Sequence, residues 1–195
     1  MRTVTKTFDV FKFQELSDEA KEKALNDYVN SGDAFPFAQE YIDTLKKALP
    51  FYGFSLDDYS VDASSAARSH VSISYASSNG WHDEEDTLRY VRLWKFLKAS
   101  YGEYYATHRK KYLPVLAGDC PFTGICYDEN FLDPIRSFME RPTDITFKEL
   151  MEDCVNSLLF AMQEDYEYQV SEDGFNEHCE GNDYEFLEDG TFYIE

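Results

Sequence analysis

From Gln163 to Glu195 the chain carries 12 carboxylates and no Lys or Arg. Whatever this segment folds into has to be built without neutralising its own charge. The acids are Glu164, Asp165, Glu167, Glu172, Asp173, Glu177, Glu180, Asp183, Glu185, Glu188, Asp189 and Glu195. Interleaved with them are Tyr166, Tyr168, Phe175, Tyr184, Phe186, Phe192 and Tyr193. A solvating acidic tail is poor in aromatic residues, because it has no apolar surface to bury. This interleaving instead predicts a folded segment with rings inward and carboxylates outward.

The rest of the chain supports a folded reading. It has 195 residues, 43% of them hydrophobic and 17% aromatic, enough for a core of its own. The length suits a single domain over residues 1–195, with a subdivision into 1–113 and 114–195 as the alternative. Thirty-eight acids against 18 bases give a net charge of −20. That balance argues against direct binding to nucleic acid or an anionic membrane, since phosphate contacts require Lys and Arg. The opening MRTVTKTFDV has no apolar signal-peptide region, and the longest clean apolar run, Leu158 to Met162, is far short of a membrane span. The expectation is a cytoplasmic protein. Cys120, Cys126, Cys154 and Cys179 are too few for a disulfide scaffold and read as reduced thiols, Cys154 in a helix core.

Periodicity supplies the elements. Thr3 to Phe13 alternates and predicts a strand. Ser17 is placed to cap a helix that opens with Asp18 and Glu19 and stops at Ser31-Gly32-Asp33. Pro36 opens a second helix that ends at Pro50. Phe51 to Ser60 and Arg68 to Tyr75 read as strands, with Val71, Ile73 and Tyr75 on one side. A long helix is expected from Asp83 to Tyr112, then an irregular stretch over 113–126 and a short helix from Glu129 to Met139. A stronger helix follows Thr146, with Phe147, Leu150, Met151, Cys154, Leu158 and Met162 on one face. Asp189-Gly190 between two aromatic runs predicts a C-terminal β-hairpin. The fold class is α+β: a small antiparallel sheet with several packed helices and a C-terminal hairpin.

Positive charge gathers once. Between Thr87 and Leu113 there are seven bases and one acid, and Arg89, Arg92, Lys95 and Lys98 recur every third residue along the expected helix. That stripe either faces acids of this fold or of a homodimer, or forms a second, basic contact surface.

Chemical motifs are sparse. GxGxxG, P-loop, GxSxG and HExxH patterns do not occur. The Cys120-x5-Cys126 spacing is too wide for a usual zinc pair, and no second tight pair accompanies it. Gln169 to Glu180 shares Gly174 and Glu180 with the sixth and twelfth positions of an EF-hand loop, but starts with Gln and places Asn176 where an apolar residue belongs. No cofactor, no metal site and no catalytic residue is assigned; a binding protein is favoured over an enzyme.

One resemblance adds context. Phe13-Gln14-Glu15-Leu16-Ser17-Asp18-Glu19-Ala20-Lys21-Glu22-Lys23-Ala24 resembles the F-x-E-L-S-x-E-A-K-x-K-A opening of a family of small bacteriophage and prophage accessory proteins. Thr123-Gly124-Ile125-Cys126-Tyr127-Asp128-Glu129 with Leu132-Asp133-Pro134, and Asn182-Asp183-Tyr184-Glu185-Phe186 with Glu188-Asp189-Gly190, are similar to the same group. The matching motifs are structural and carry no catalytic residue. The resemblance implies a phage-type protein comparable to anti-CRISPR and antirestriction inhibitors, some of which occupy nucleic-acid channels with acidic surfaces. The expected function is inhibition of a host nucleic-acid-binding protein, a nuclease or CRISPR effector, by a DNA-mimicking face. The face expected to do this is Glu164, Asp165, Glu167, Glu172, Asp173, Glu177 and Glu180. The alternatives are an accessory protein acting by assembly, its acidity serving solubility, and a metal-binding enzyme.

Overall fold

The structure, a computed structural model, describes residues 2, 6–75, 88–100 and 120–193. Among the described residues there are six α-helices and one two-stranded antiparallel sheet, an α+β fold. The helices are α1 (Asp18–Ser31), α2 (Ala38–Phe51), α3 (Tyr90–Ser100), α4 (Tyr127–Glu140), α5 (Phe147–Gln169) and α6 (Glu172–Gly181). The strands are β1 (Phe54–Ser60) and β2 (His70–Tyr75). No helix among these residues is long and apolar enough to cross a membrane.

The chain divides into two compact units. One is discontinuous, residues 1–36 with 164–195; the other is residues 37–163. The boundary expected at 113/114 lies outside the described residues. So does most of the long helix expected from Asp83 to Tyr112, of which α3 is the described part.

In the discontinuous unit, Ser17 does cap α1, its Oγ accepting from the Ala20 N–H at 3.3 Å. Gly32 ends the helix in the left-handed conformation, φ 83°, where an L side chain is strained. α1 brings Ala20 and Ala24 against Phe13, Leu16, Phe175, Cys179 and Phe186, a core assembled from both ends of the chain. Each large side chain buried there contributes about 1.5–3 kcal/mol. Phe13 meets Phe175 edge-on at 4.9 Å, and Tyr28 stacks on Phe175 at 4.6 Å. One sequence expectation needs correction in this unit, and another is left unconfirmed. The described part of the Thr3–Phe13 segment forms no strand: only Phe11 pairs, exchanging two backbone bonds of 2.9 Å with Phe186. The C-terminal hairpin is not confirmed as a pair of strands. The Asp189-Gly190 turn is closed by Gly190 N–H to Leu187 and Leu187 N–H to Thr191, and among the described residues one bridge, Phe186–Phe192, pairs its two sides. Phe186 already pairs with Phe11, so the segment's hydrogen bonds are divided between two partners.

In the 37–163 unit, β1 and β2 pair from Phe54–Tyr75 to Ser60–His70, with an irregularity between Leu56 and Asp58. α2 buries Tyr41, Ile42, Leu45, Ala48 and Leu49. Pro50 occupies the last turn of α2 rather than following it. The predicted face of α5 is buried as expected, Phe147, Leu150, Met151, Cys154, Leu158 and Met162 all inside. Its start carries a reciprocal cap: Thr146 Oγ1 accepts from the Glu149 N–H at 3.1 Å, and Glu149 accepts from the Thr146 N–H at 2.7 Å. That contact holds the Glu149 carboxyl below the usual carboxylate range.

Candidate partner-binding surface

All seven acids singled out from the sequence fall in the discontinuous unit. That unit holds 19 acids against five bases, a formal −14 of the chain's −20. The charge is therefore segregated between units as well as along the sequence.

Two helical segments carry these acids. Glu164, Asp165 and Glu167 lie on the last turns of α5; Glu164 and Glu167 are exposed and Asp165 is half-buried. After Gln169 the chain turns, and Ser171 caps α6 by accepting from the Gly174 N–H at 3.1 Å. Gly174 is required by a close approach: a Cβ there would lie 2.1 Å from the Tyr168 carbonyl oxygen. α6 spans most of the Gln169–Glu180 stretch that partly resembles an EF-hand loop. Glu172 and Asp173 sit in the first turn of α6, where the helix dipole favours acids. Glu177 and Glu180 follow, and all four are exposed.

Several of these acids have internal partners. Glu172 lies 3.6 Å from Lys21. Glu180 accepts from Gln14 at 2.9 Å and from Asn176 at 3.0 Å. Glu177 takes the Tyr168 hydroxyl hydrogen bond, and that bond raises the Tyr168 pKa above the ordinary phenol value. Three neighbouring acids outside the set of seven are also tied to bases. Lys12 reaches Asp183 at 2.6 Å and Glu185 at 3.7 Å, and Lys23 reaches Asp189 at 3.2 Å. Hydrogen bonds from Thr191 and then Lys23 lower the Asp189 carboxyl to about 2. The bases that meet the C-terminal acids in this unit thus come from its N-terminal segment. Sequence reasoning missed these pairings. Their one signal is the Lys12, Lys21, Lys23 spacing near the start of a chain whose other end lacks any base.

The basic stripe, Arg89 just before α3 and Arg92, Lys95 and Lys98 on it, belongs to the other unit. Arg89 is paired backbone to backbone with Thr146, and its guanidinium grips Asp144 with bonds of 2.5 and 3.0 Å. Arg92 and Lys95 are exposed, and Lys98 lies 4.6 Å over the Trp94 ring. Trp94 in turn donates to the Met139 carbonyl at 3.1 Å. No three His, Cys, Asp or Glu side chains gather in metal-binding geometry among the described residues.

A row of acids on α6 has a definable charge density. Asp173, Glu177 and Glu180 follow one another at helical intervals of four and three residues. Side chains so spaced stand about 5–6 Å apart. One DNA strand carries a charge about every 3.4 Å. The row therefore reaches somewhat over half the line charge of a single strand, and about a third of that of a duplex.

Comparison with family models, with curated proteins and with solved structures finds no match.

Proposed function

We propose that the protein is a binding module whose acidic unit engages a basic, nucleic-acid-binding surface of a partner protein. The observation that carries this reading is the segregation of charge: 19 acids against five bases in 68 residues. Like charges at i,i+3 and i,i+4 cost a helix a few tenths of a kcal/mol per pair. α6 bears that cost at Asp173, Glu177 and Glu180. An acidity that served only solubility could be dispersed over the whole surface without such repulsion. A rigid acidic row offers an Arg- and Lys-lined channel much of the potential of a nucleic-acid strand. It would also speed association by electrostatic steering. The resemblance to phage accessory proteins makes a host nuclease or CRISPR effector the first partner class to test, with the module acting as its inhibitor.

The test is a pull-down from nuclease-treated bacterial lysate, eluted with a salt gradient. The reading predicts a nucleic-acid-binding protein that elutes at moderate salt and is lost when Glu164, Glu167 and Asp173 are changed to Lys. Recovery of only a second copy of the chain, or of a partner indifferent to salt, supports assembly instead and ends the mimicry reading.

A further inference from the structure

The discontinuous unit contains a cavity of about 380 Å³ whose lining combines three chemically distinct groups of residues. Its floor is apolar and buried: Ala24, Phe175, Phe186 and Gly190. Its wall is a run of aromatic rings. Tyr28 lies 5.2 Å from His178, His178 meets Tyr184 edge-on at 5.4 Å, and Tyr184 meets Phe192 edge-on at 4.6 Å. Its rim holds two exposed carboxylates, Asp27 and Asp33, with Ser31 between them. No Lys or Arg lines it.

That combination selects for one kind of ligand. Aromatic faces attract cations through the ring quadrupole, and carboxylates at the mouth add Coulomb attraction without having to be buried. An anion would meet two carboxylates and no Lys or Arg. A neutral apolar ligand would gain from the floor but nothing from the rim. Tyr28 has its phenol pKa raised by burial and by nearby groups including Asp33, so it remains a neutral ring at physiological pH. The volume exceeds that of a single side-chain tip, which leaves space for the aliphatic stem and adjoining backbone of an extended cationic residue.

We propose that this cavity is an anchor site for an Arg or Lys side chain of the partner protein, its cationic tip held between the aromatic wall and the Asp27 and Asp33 carboxylates. The proposal rests on the reading of the acidic unit as a partner-binding surface. It adds to that surface the apolar, desolvated contact that salt-screened carboxylates lack.

The test uses the full chain and Nα-acetylarginine amide as the probe, followed by NMR of the aromatic ring resonances at about 150 mM salt. The result expected is saturable shifts confined to Tyr28, His178, Tyr184 and Phe192, with a Kd of about 1–10 mM. The neutral isostere Nα-acetylcitrulline amide should give at least about tenfold weaker binding, and so should D27N/D33N with the arginine probe. Both rim residues are exposed, so the double variant should keep the fold, which an unchanged melting curve verifies. No shifts by about 20 mM, equal binding of the citrulline probe, or shifts mapping elsewhere would each overturn the proposal. Tighter binding of tetramethylammonium than of the arginine probe would overturn the assignment to a protein side chain. Failure of the two readings is separable. Ring shifts without any captured basic partner sink the surface and keep a cation site. A captured partner indifferent to D27N/D33N sinks the anchor and keeps the surface.

Discussion

Gly190 and Ala20 meet backbone to backbone: a Cβ on Gly190 would lie 2.1 Å from the Ala20 carbonyl oxygen. Gly190 also holds φ +79°, in the left-handed region. The contact joins the turn after Phe186 to α1, so the C-terminal segment is seated through a residue without a side chain. Gly190→Ala should lose about 2–4 kcal/mol, from left-handed strain together with displaced backbone. Gly32→Ala is the control, since Gly32 has φ +83° in the same unit with open space around it. It should lose only about 1 kcal/mol. Equal melting temperatures for the two variants would show that the Ala20 contact is not tight.

Asp128 is fully buried and accepts four hydrogen bonds. The Phe122 and Thr123 N–H groups donate at 2.7 and 2.8 Å, the Thr123 hydroxyl at 2.7 Å and the Thr44 hydroxyl at 3.1 Å. The carboxylate thereby fixes the loop before α4 and links it to α2. Asp128→Ala leaves these donors without their acceptor and should cost about 3 kcal/mol or more in urea unfolding. Asp128→Asn keeps one acceptor oxygen but turns an NH2 group toward donors, and should fall between the two. An unchanged urea midpoint for the alanine variant contradicts this account.

The same residue shows what the sequence makes legible. Asp128 stands in the Thr123–Glu129 segment singled out from the sequence, and that segment runs into the start of α4. Local signals were readable because their physics is local: the Ser17 cap, the Gly32 stop, the apolar face of α5 and the alternation of β2. The described part of Thr3–Phe13 departs from the expected strand because alternation indicates a side-chain pattern but not a neighbour to pair with. Phe11 finds one partner residue, Phe186, and no ladder. The grouping of residues 1–36 with 164–195, the lysine–carboxylate pairs across it and the ring-lined cavity were illegible for a different reason. Each depends on contacts more than 100 residues apart in the chain, which no window of periodicity contains.

The four thiols should separate by environment. Burial pushes Cys179 up to about 12 and Cys154 well above its ordinary value, whereas Cys126 is exposed and Cys120 half-buried. Thiolate is the reactive form. At pH 8 a thiol-specific reagent should titrate Cys126 first, then Cys120, and reach Cys154 and Cys179 only after denaturant is added. Mass spectrometry of the alkylated native protein checks the order. Modification of Cys179 before Cys126 is incompatible with the buried position described.

Asp189 supplies a prediction with a definite sign in pH. Its folded-state pKa of about 2 lies below the ordinary aspartate value, through hydrogen bonds from Thr191 and then Lys23. A carboxyl depressed on folding adds stability above its unfolded pKa, and that contribution is lost as pH falls through the folded one. Asp189→Asn should therefore be less stable than the parent at pH 7. The gap should close progressively between about pH 4 and pH 2. Being solvent-exposed, the pair should also weaken at high salt as regards its Lys23 component, while the Thr191 hydrogen bonds persist. Paired urea titrations of parent and variant across that pH range provide the check. A gap that stays constant from pH 7 to pH 2 would mean that the carboxylate's charge contributes nothing at this turn, and that Thr191 and Lys23 hold it no better than they hold an amide.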